Sequence, residues 1–79
     1  MRKVNDDYYL NRAEVIDYLI AAYSLRWCNT KWSTGLIRIN CQDKTGNLRS
    51  YRVNSYKLKN SRTVRVNKNE LDVLFLGLK

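Results

Sequence analysis

Residues 35–66 read GLIRINCQDKTGNLRSYRVNSYKLKNSRTVRV, and the fold turns on them. Ile37, Ile39 and Cys41 alternate with Arg38 and Asn40, the two-residue period of a strand with one apolar and one polar face. A first strand is expected over 35–42. Asp43-Lys44-Thr45-Gly46-Asn47 then makes a turn, with Gly46 supplying positive φ. A second strand is expected over 48–58. Its alternation breaks, since Tyr51 and Val53 share one parity and Tyr56 and Leu58 the other, so a bulge near Asn54-Ser55 is expected. After a turn at Lys59-Asn60-Ser61-Arg62, Thr63 to Val66 forms a third strand. Closing the first turn pairs Ile39 with Tyr51 and Ile37 with Val53. It also sets Arg38 directly opposite Arg52, an arrangement that destabilises a sheet unless an anion joins it.

Helices are expected on both sides of this stretch. Asn11 and Glu14 stand at capping-box spacing, with Leu10 and Val15 at staple spacing. Val15, Ile16, Leu19, Ile20, Tyr23 and Trp27 recur on one face of a 3.6-residue period, which predicts a helix over 11–26. Tyr18, Ala22 and Leu25 widen that face. Asn67 and Glu70 repeat the cap pattern, and a second helix is expected over 68–76 with Leu71, Leu74, Phe75 and Leu78 inward and Gly77 as its stop. Residues 1–10 are expected as an N-terminal arm and 27–34 as a connection. The expected fold class is therefore α+β: one domain over 11–79, in α-β-β-β-α order, with both helices on one face of a three-stranded antiparallel sheet.

Charge is distributed unevenly. The 79 residues hold 15 Lys and Arg, 7 Asp and Glu and no His, a net charge of +8. Residues 26–68 hold eleven cations and one acid, Asp43, whereas residues 5–17 hold one cation and four acids. Clustered positive charge is the footprint of a polyanion-binding surface. The expected nucleic-acid-binding residues are Arg38, Asn40, Arg49, Arg52 and Arg65 on the strands, with Lys44, Lys57, Lys59 and Arg62 in and beside the turns. Arg38, Arg52 and Arg65 are expected to stand together on the face away from the helices.

The order α-β-β-β-α resembles that of the double-stranded RNA-binding domain. The Lys cluster by which that family reads phosphates at its second helix is represented only by Lys68, with Glu70 and Asp72 close behind. A three-stranded sheet beside a C-terminal helix is also similar to the arm-binding domains of phage integrases, which lay the sheet into the DNA major groove. Arg62 to Phe75 resembles an excisionase-type wing, without the two-helix head that precedes one. Shared topology does not carry function.

Other function classes find less support. Two cysteines, Cys28 and Cys41, and no histidine leave the usual zinc ligand set incomplete, so no metal and no cofactor is expected. The thiols are expected free and mostly buried in a cytoplasmic protein. The longest apolar run, Val15 to Leu25, contains Asp17 and is shorter than the roughly 20 residues that span a bilayer, and no membrane contact is expected. Gly35, Gly46 and Gly77 are isolated, so no nucleotide loop and no small-molecule substrate is expected. Without His or paired acids the chain is expected not to be an enzyme; Tyr51, Tyr56, Lys57 and Arg62 are the residues a ribonuclease would have to use. The alternative to nucleic-acid binding is a small inhibitor or accessory protein that docks on a host enzyme or nucleoprotein complex, or a homodimer. Tyr8, Tyr9, Val73 and Leu76 would be its contacts. Richness in Asn, Lys, Ile and Tyr suits a phage or mobile-element regulatory gene.

Overall fold

The computed structural model describes residues 1–33 and 35–78. Thr34, at the end of the expected connection, and Lys79, at the end of the expected domain, lie outside the described residues. Strands β1 (Arg2–Val4) and β2 (Asp7–Leu10) precede helix α1 (Arg12–Tyr23). Strands β3 (Trp27–Ser33), β4 (Leu36–Gln42), β5 (Leu48–Lys57) and β6 (Val64–Asn67) follow, then α2 (Lys68–Phe75) and a 3₁₀ turn, Leu76–Leu78. The strands form one six-stranded antiparallel sheet in the order β1-β2-β6-β5-β4-β3.

This overturns the expected α-β-β-β-α order and three-stranded sheet, and with them the topological resemblances. Two stretches account for the difference. The first is 1–10, expected as an arm. Asn5 and Asp6 both adopt positive φ, 50° and 70°. Two such residues in succession make the tight turn whose twist suits a two-residue hairpin. β2 then pairs with β6, Leu10 opposite Val66, and carries the hairpin into the sheet. The second is 27–33, expected as a connection. Cys28, Thr30 and Trp32 turn inward while Trp27, Asn29, Lys31 and Ser33 stay exposed. Gly35, at φ 83°, belongs to the reversal into β4.

The central hairpin has the expected register, with Ile39 opposite Tyr51, Ile37 opposite Val53 and Arg38 opposite Arg52. β5 changes partner where its apolar parity breaks. Through Asn54 it pairs with β4, and from Ser55 to Lys57 with β6. The parity break thus marks a strand serving two ladders.

α1 is shorter than the expected 11–26. Asn11 and Glu14 form the full capping box, but Ser24 takes a left-handed conformation at φ 55° and ends the helix. Trp27 therefore leaves the helical stripe for β3. Val15, Leu19 and Tyr23, spaced four apart, are the buried stripe, and Ile20 is exposed. At α2, Asn67 accepts from the Glu70 amide at 3.1 Å, while the Glu70 carboxylate accepts from the Tyr56 hydroxyl instead of reaching back to the cap. Leu71 and Phe75 of α2 join Leu10, Val15, Leu19, Tyr23, Ile37, Ile39, Val53 and Val66 in one core. Phe75 stacks between both layers, its ring 5.3 Å from that of Tyr23 and 4.4 Å from that of Tyr51.

Candidate nucleic-acid interface

The core-facing rows of the β3-β4-β5 half are Trp32-Ile37-Val53, Thr30-Ile39-Tyr51 and Cys28-Cys41-Arg49. Side chains alternate along a strand, so the residues between them stand on the opposite face. Across β3, β4 and β5 that outer face carries four rows. Trp27-Gln42-Leu48 is largely apolar, and Asn29-Asn40-Ser50 is polar. Lys31-Arg38-Arg52 is wholly cationic, and Ser33-Leu36-Asn54 closes the far end. All but Asn40 and Gln42, which are half-buried, are exposed.

No acid stands in those rows. Asp6 and Asp7 lie at the first hairpin, Glu14 and Asp17 on α1, Asp43 in the β4–β5 turn, and Glu70 and Asp72 on α2. Lys31, Arg38 and Arg52 accordingly have no ion-pair partner among the described residues. Neighbouring strands lie about 4.8 Å apart, so the row spans about 10 Å between its outer backbones.

The other expected site residues separate into two groups. Lys44 is exposed in the β4–β5 turn, and its carbonyl accepts from Arg26 at 3.2 Å. Lys57 ends β5, and Lys59 and Arg62 are exposed in the loop to β6, where Arg2 donates to the Lys59 carbonyl at 3.1 Å. Lys44 thus lies beyond one end of the strands and Lys59 and Arg62 beyond the other, whereas Lys57 has the core-facing parity of Val53, and Arg62 lines a hollow with Arg12, Trp32 and Val64. Arg49 and Arg65, by contrast, are engaged with acids. Arg49 Nε donates to Asp43 Oδ2 at 2.9 Å. Asp43 also accepts from the Thr45 hydroxyl and from the amides of Thr45 and Asn47. Hydrogen bonds from Thr45 and Arg49 above all hold its carboxyl well below the usual range. Arg65 pairs with Tyr56 across the ladder, not with Arg52, and reaches Glu14 Oε1 at 3.4 Å and the Tyr9 carbonyl at 3.3 Å. The expected triad of Arg38, Arg52 and Arg65 is therefore not one row. Lys31 takes the third place.

Sequence reasoning misses Trp27, Asn29 and Lys31 as face residues because it expects a connection over 27–34. The alternation of Cys28, Thr30 and Trp32 was the available signal; Cys28 and Thr30 are weak apolar markers, and Trp27 also fitted the helical stripe. Of the expected partner contacts, Tyr8, Val73 and Leu76 are exposed, at 42%, 73% and 66%. Tyr9 is half-buried, its ring edge-on to Tyr56 at 5.8 Å.

Comparison with known protein families, curated proteins and solved structures finds no match. Among the described residues no helix is long and apolar enough to cross a membrane. No group of three or more His, Cys, Asp and Glu among them could hold a metal ion.

Proposed function

We propose that this protein binds nucleic acid through the outer face of β3, β4 and β5. The observation that carries the reading is the acid-free row Lys31-Arg38-Arg52, three cations set side by side without an ion-pair partner among the described residues. Like charges directly opposed across a ladder cost roughly 0.2–1 kcal/mol per pair in the free protein. A phosphate backbone converts that repulsion into attraction, and arginine forks suit phosphate oxygens and base edges alike. Lys44 in the β4–β5 turn and Lys59 and Arg62 in the loop to β6 add positive charge beyond the ends of the strands.

The test is a salt series. Lys31, Arg38 and Arg52 are replaced together by Ala, and binding to labelled oligonucleotides is followed by anisotropy from low to moderate salt. The variant should fold as stably as the parent or slightly more so. Its slope of log affinity against log salt should flatten by about 2 on a single strand and nearly 3 on a duplex, the sum of three lost phosphate contacts. Unchanged affinity with an unchanged slope removes the outer face as the site.

A second reading is favoured by Val73 and Leu76, which α2 and the turn after it leave exposed at 73% and 66%. They would seat an apolar protein partner, with the outer face as no more than a solvated basic surface. Absence of binding to any nucleic acid at low salt would move this reading to first place.

A further inference from the structure

The cationic row leaves Trp27 unexplained. It stands at the corner of the outer face, 38% exposed, in the same cross-strand row as Leu48, which is 72% exposed. Gln42 lies between them, its side chain tied down by donating to the Gly46 carbonyl at 3.0 Å. A shallow hollow opens here, lined by Trp27, Asn40, Leu48 and Ser50 together with Cys41 and Arg49 of the core-facing row. It is mostly apolar, yet it sits on a face whose next row is amides and whose row after that is cations. Trp32, the other indole, differs in every respect. It faces the core, is half-buried, and donates from its ring nitrogen to the Thr30 hydroxyl at 2.7 Å.

We propose that the outer face takes a single-stranded nucleic acid, with one unstacked base on the Trp27 indole against Leu48. The proposal rests on the reading of that face as a nucleic-acid interface and adds the strand state of the ligand. Three features of the layout argue for it. First, the indole and the cationic row are four residues apart along β3, about 13 Å, a span that a few nucleotides of one strand cover. Second, Asn29 and Asn40 lie between the two. A carboxamide offers a donor and an acceptor, and so can pair with the Watson–Crick edge that only an unpaired base exposes. Third, a duplex keeps its bases stacked on one another and offers no free base face to an indole. On a duplex, Trp27 and Leu48 would stay wet or be laid against a charged backbone. A strand crossing the sheet from Trp27 to Arg52 meets an apolar surface, then amides, then cations. Bases, base edges and phosphates need surfaces of these three kinds, and aromatic platforms with basic tracks are how single strands are held.

The experiment titrates the full chain with an oligothymidine and with a duplex of equal length at low salt, reading anisotropy and tryptophan emission together. The single strand should bind at least tenfold more tightly and should quench part of the emission. Trp27→Phe keeps a ring for stacking, so it should retain most of the affinity and lose most of the quenching, because Trp32 is then the only indole. Trp27→Leu should lose about 5- to 150-fold in single-strand affinity, the range one stacked base commands, and leave duplex affinity unchanged. Leu48→Ser changes a 72% exposed residue on the same hollow and should weaken single-strand binding without a loss of folding. Circular dichroism of each variant checks the fold. Nucleic-acid binding with no preference for the single strand, or undiminished by Trp27→Leu and Leu48→Ser, overturns the stacking proposal and leaves the cationic row as the site. Binding of neither oligonucleotide overturns both.

Discussion

Replacing Asp72 should loosen the joint between the two helices. Its carboxylate accepts from the Tyr18 hydroxyl, from the Tyr23 hydroxyl at 2.8 Å, and from the Lys68 ammonium at 2.9 Å. Burial acts to raise this carboxyl, but the hydrogen bonds from Tyr18, Lys68 and Tyr23 outweigh it and hold the group below its ordinary value. The three partners are not worth the same. Lys68 and Asp72 form an i,i+4 pair with both side chains 30% exposed, so their attraction contributes about 0.3–0.5 kcal/mol. Tyr18 is half-buried and can turn its hydroxyl to water. Tyr23 is 2% exposed and its bond to Asp72 is charge-assisted, so it dominates the sum. Asp72→Ala should therefore cost about 2–3 kcal/mol, and Asp72→Asn, which keeps an acceptor oxygen, about 1 kcal/mol. Urea denaturation at neutral pH, followed by circular dichroism, measures both. The pH dependence has a definite sign. A folded-state carboxyl below its unfolded value contributes stability that is fully present above about pH 4 and is lost as pH falls through the folded value. In Asp72→Ala that part of the acid loss should vanish, while the part from Asp43, which is shifted in the same direction, persists. If Asp72→Ala were as stable as the parent, the carboxylate would not hold α2 against α1.

Two further outcomes are expected. Leu19→Ala and Phe75→Ala, at fully buried positions on the two helices, should each cost about 2–5 kcal/mol in the same denaturation assay, and a half-buried Leu74→Ala should cost less. Cys28 and Cys41 face each other across β3 and β4 as free thiols. Burial, with a smaller contribution from the neighbouring sulfur, pushes the Cys28 thiol up to about 11, and Cys41 is raised chiefly by burial. Both should label slowly at pH 8 until urea unfolds the chain; rapid native-state labelling would show that the ladder between β3 and β4 opens far more readily than its register implies.

The sequence was most legible where local chemistry and burial agreed. Asn11 with Glu14 gave a helix start because a side-chain cap needs no tertiary partner. Leu10 with Val15 and Val66 with Leu71, all fully buried, were readable for the same reason. The β4–β5 register followed from one turn and two apolar stripes. Where the signal was divided, the reading failed. Trp27 fitted a helical period of 3.6 and a strand period of 2 equally well, and the left-handed Ser24 decided between them. β1 and β2 carry almost no apolar alternation. Their turn is Asn5-Asp6 without glycine, and their place in the sheet is set by β2 pairing with β6, more than fifty residues away. A long-range ladder is invisible to any local pattern. The outer face was half legible, since Arg38 opposite Arg52 was fixed by the hairpin, while Lys31 and Trp27 needed β3 to be recognised as a strand.

The allocation of acids bears on whether the outer face is a site or only a solvated surface. Among the described residues Glu14 serves the N-terminus and Arg65, Asp43 serves Arg49, and Asp72 serves Lys68. Glu70 takes Tyr56, and Asp7 accepts from Asn69. Five of the seven acids are thus engaged within the fold, and none stands on the outer face. A solvated surface with no ligand would be expected to intersperse both signs, because mixed charge lowers repulsion across a ladder. Here one of the four outer rows across β3, β4 and β5 has cations at all three positions and uncharged rows on both sides. Arg65 sharpens the contrast. It was grouped with Arg38 and Arg52 by parity, yet it is the member with an acid beside it and an Nε buried without a partner. Among the described residues Arg49 and Arg65 each have an acid beside them; Arg38 and Arg52, on the open face, do not. The alignment of three cations in one acid-free row, more than the net charge of +8, is what favours an anionic ligand for the face.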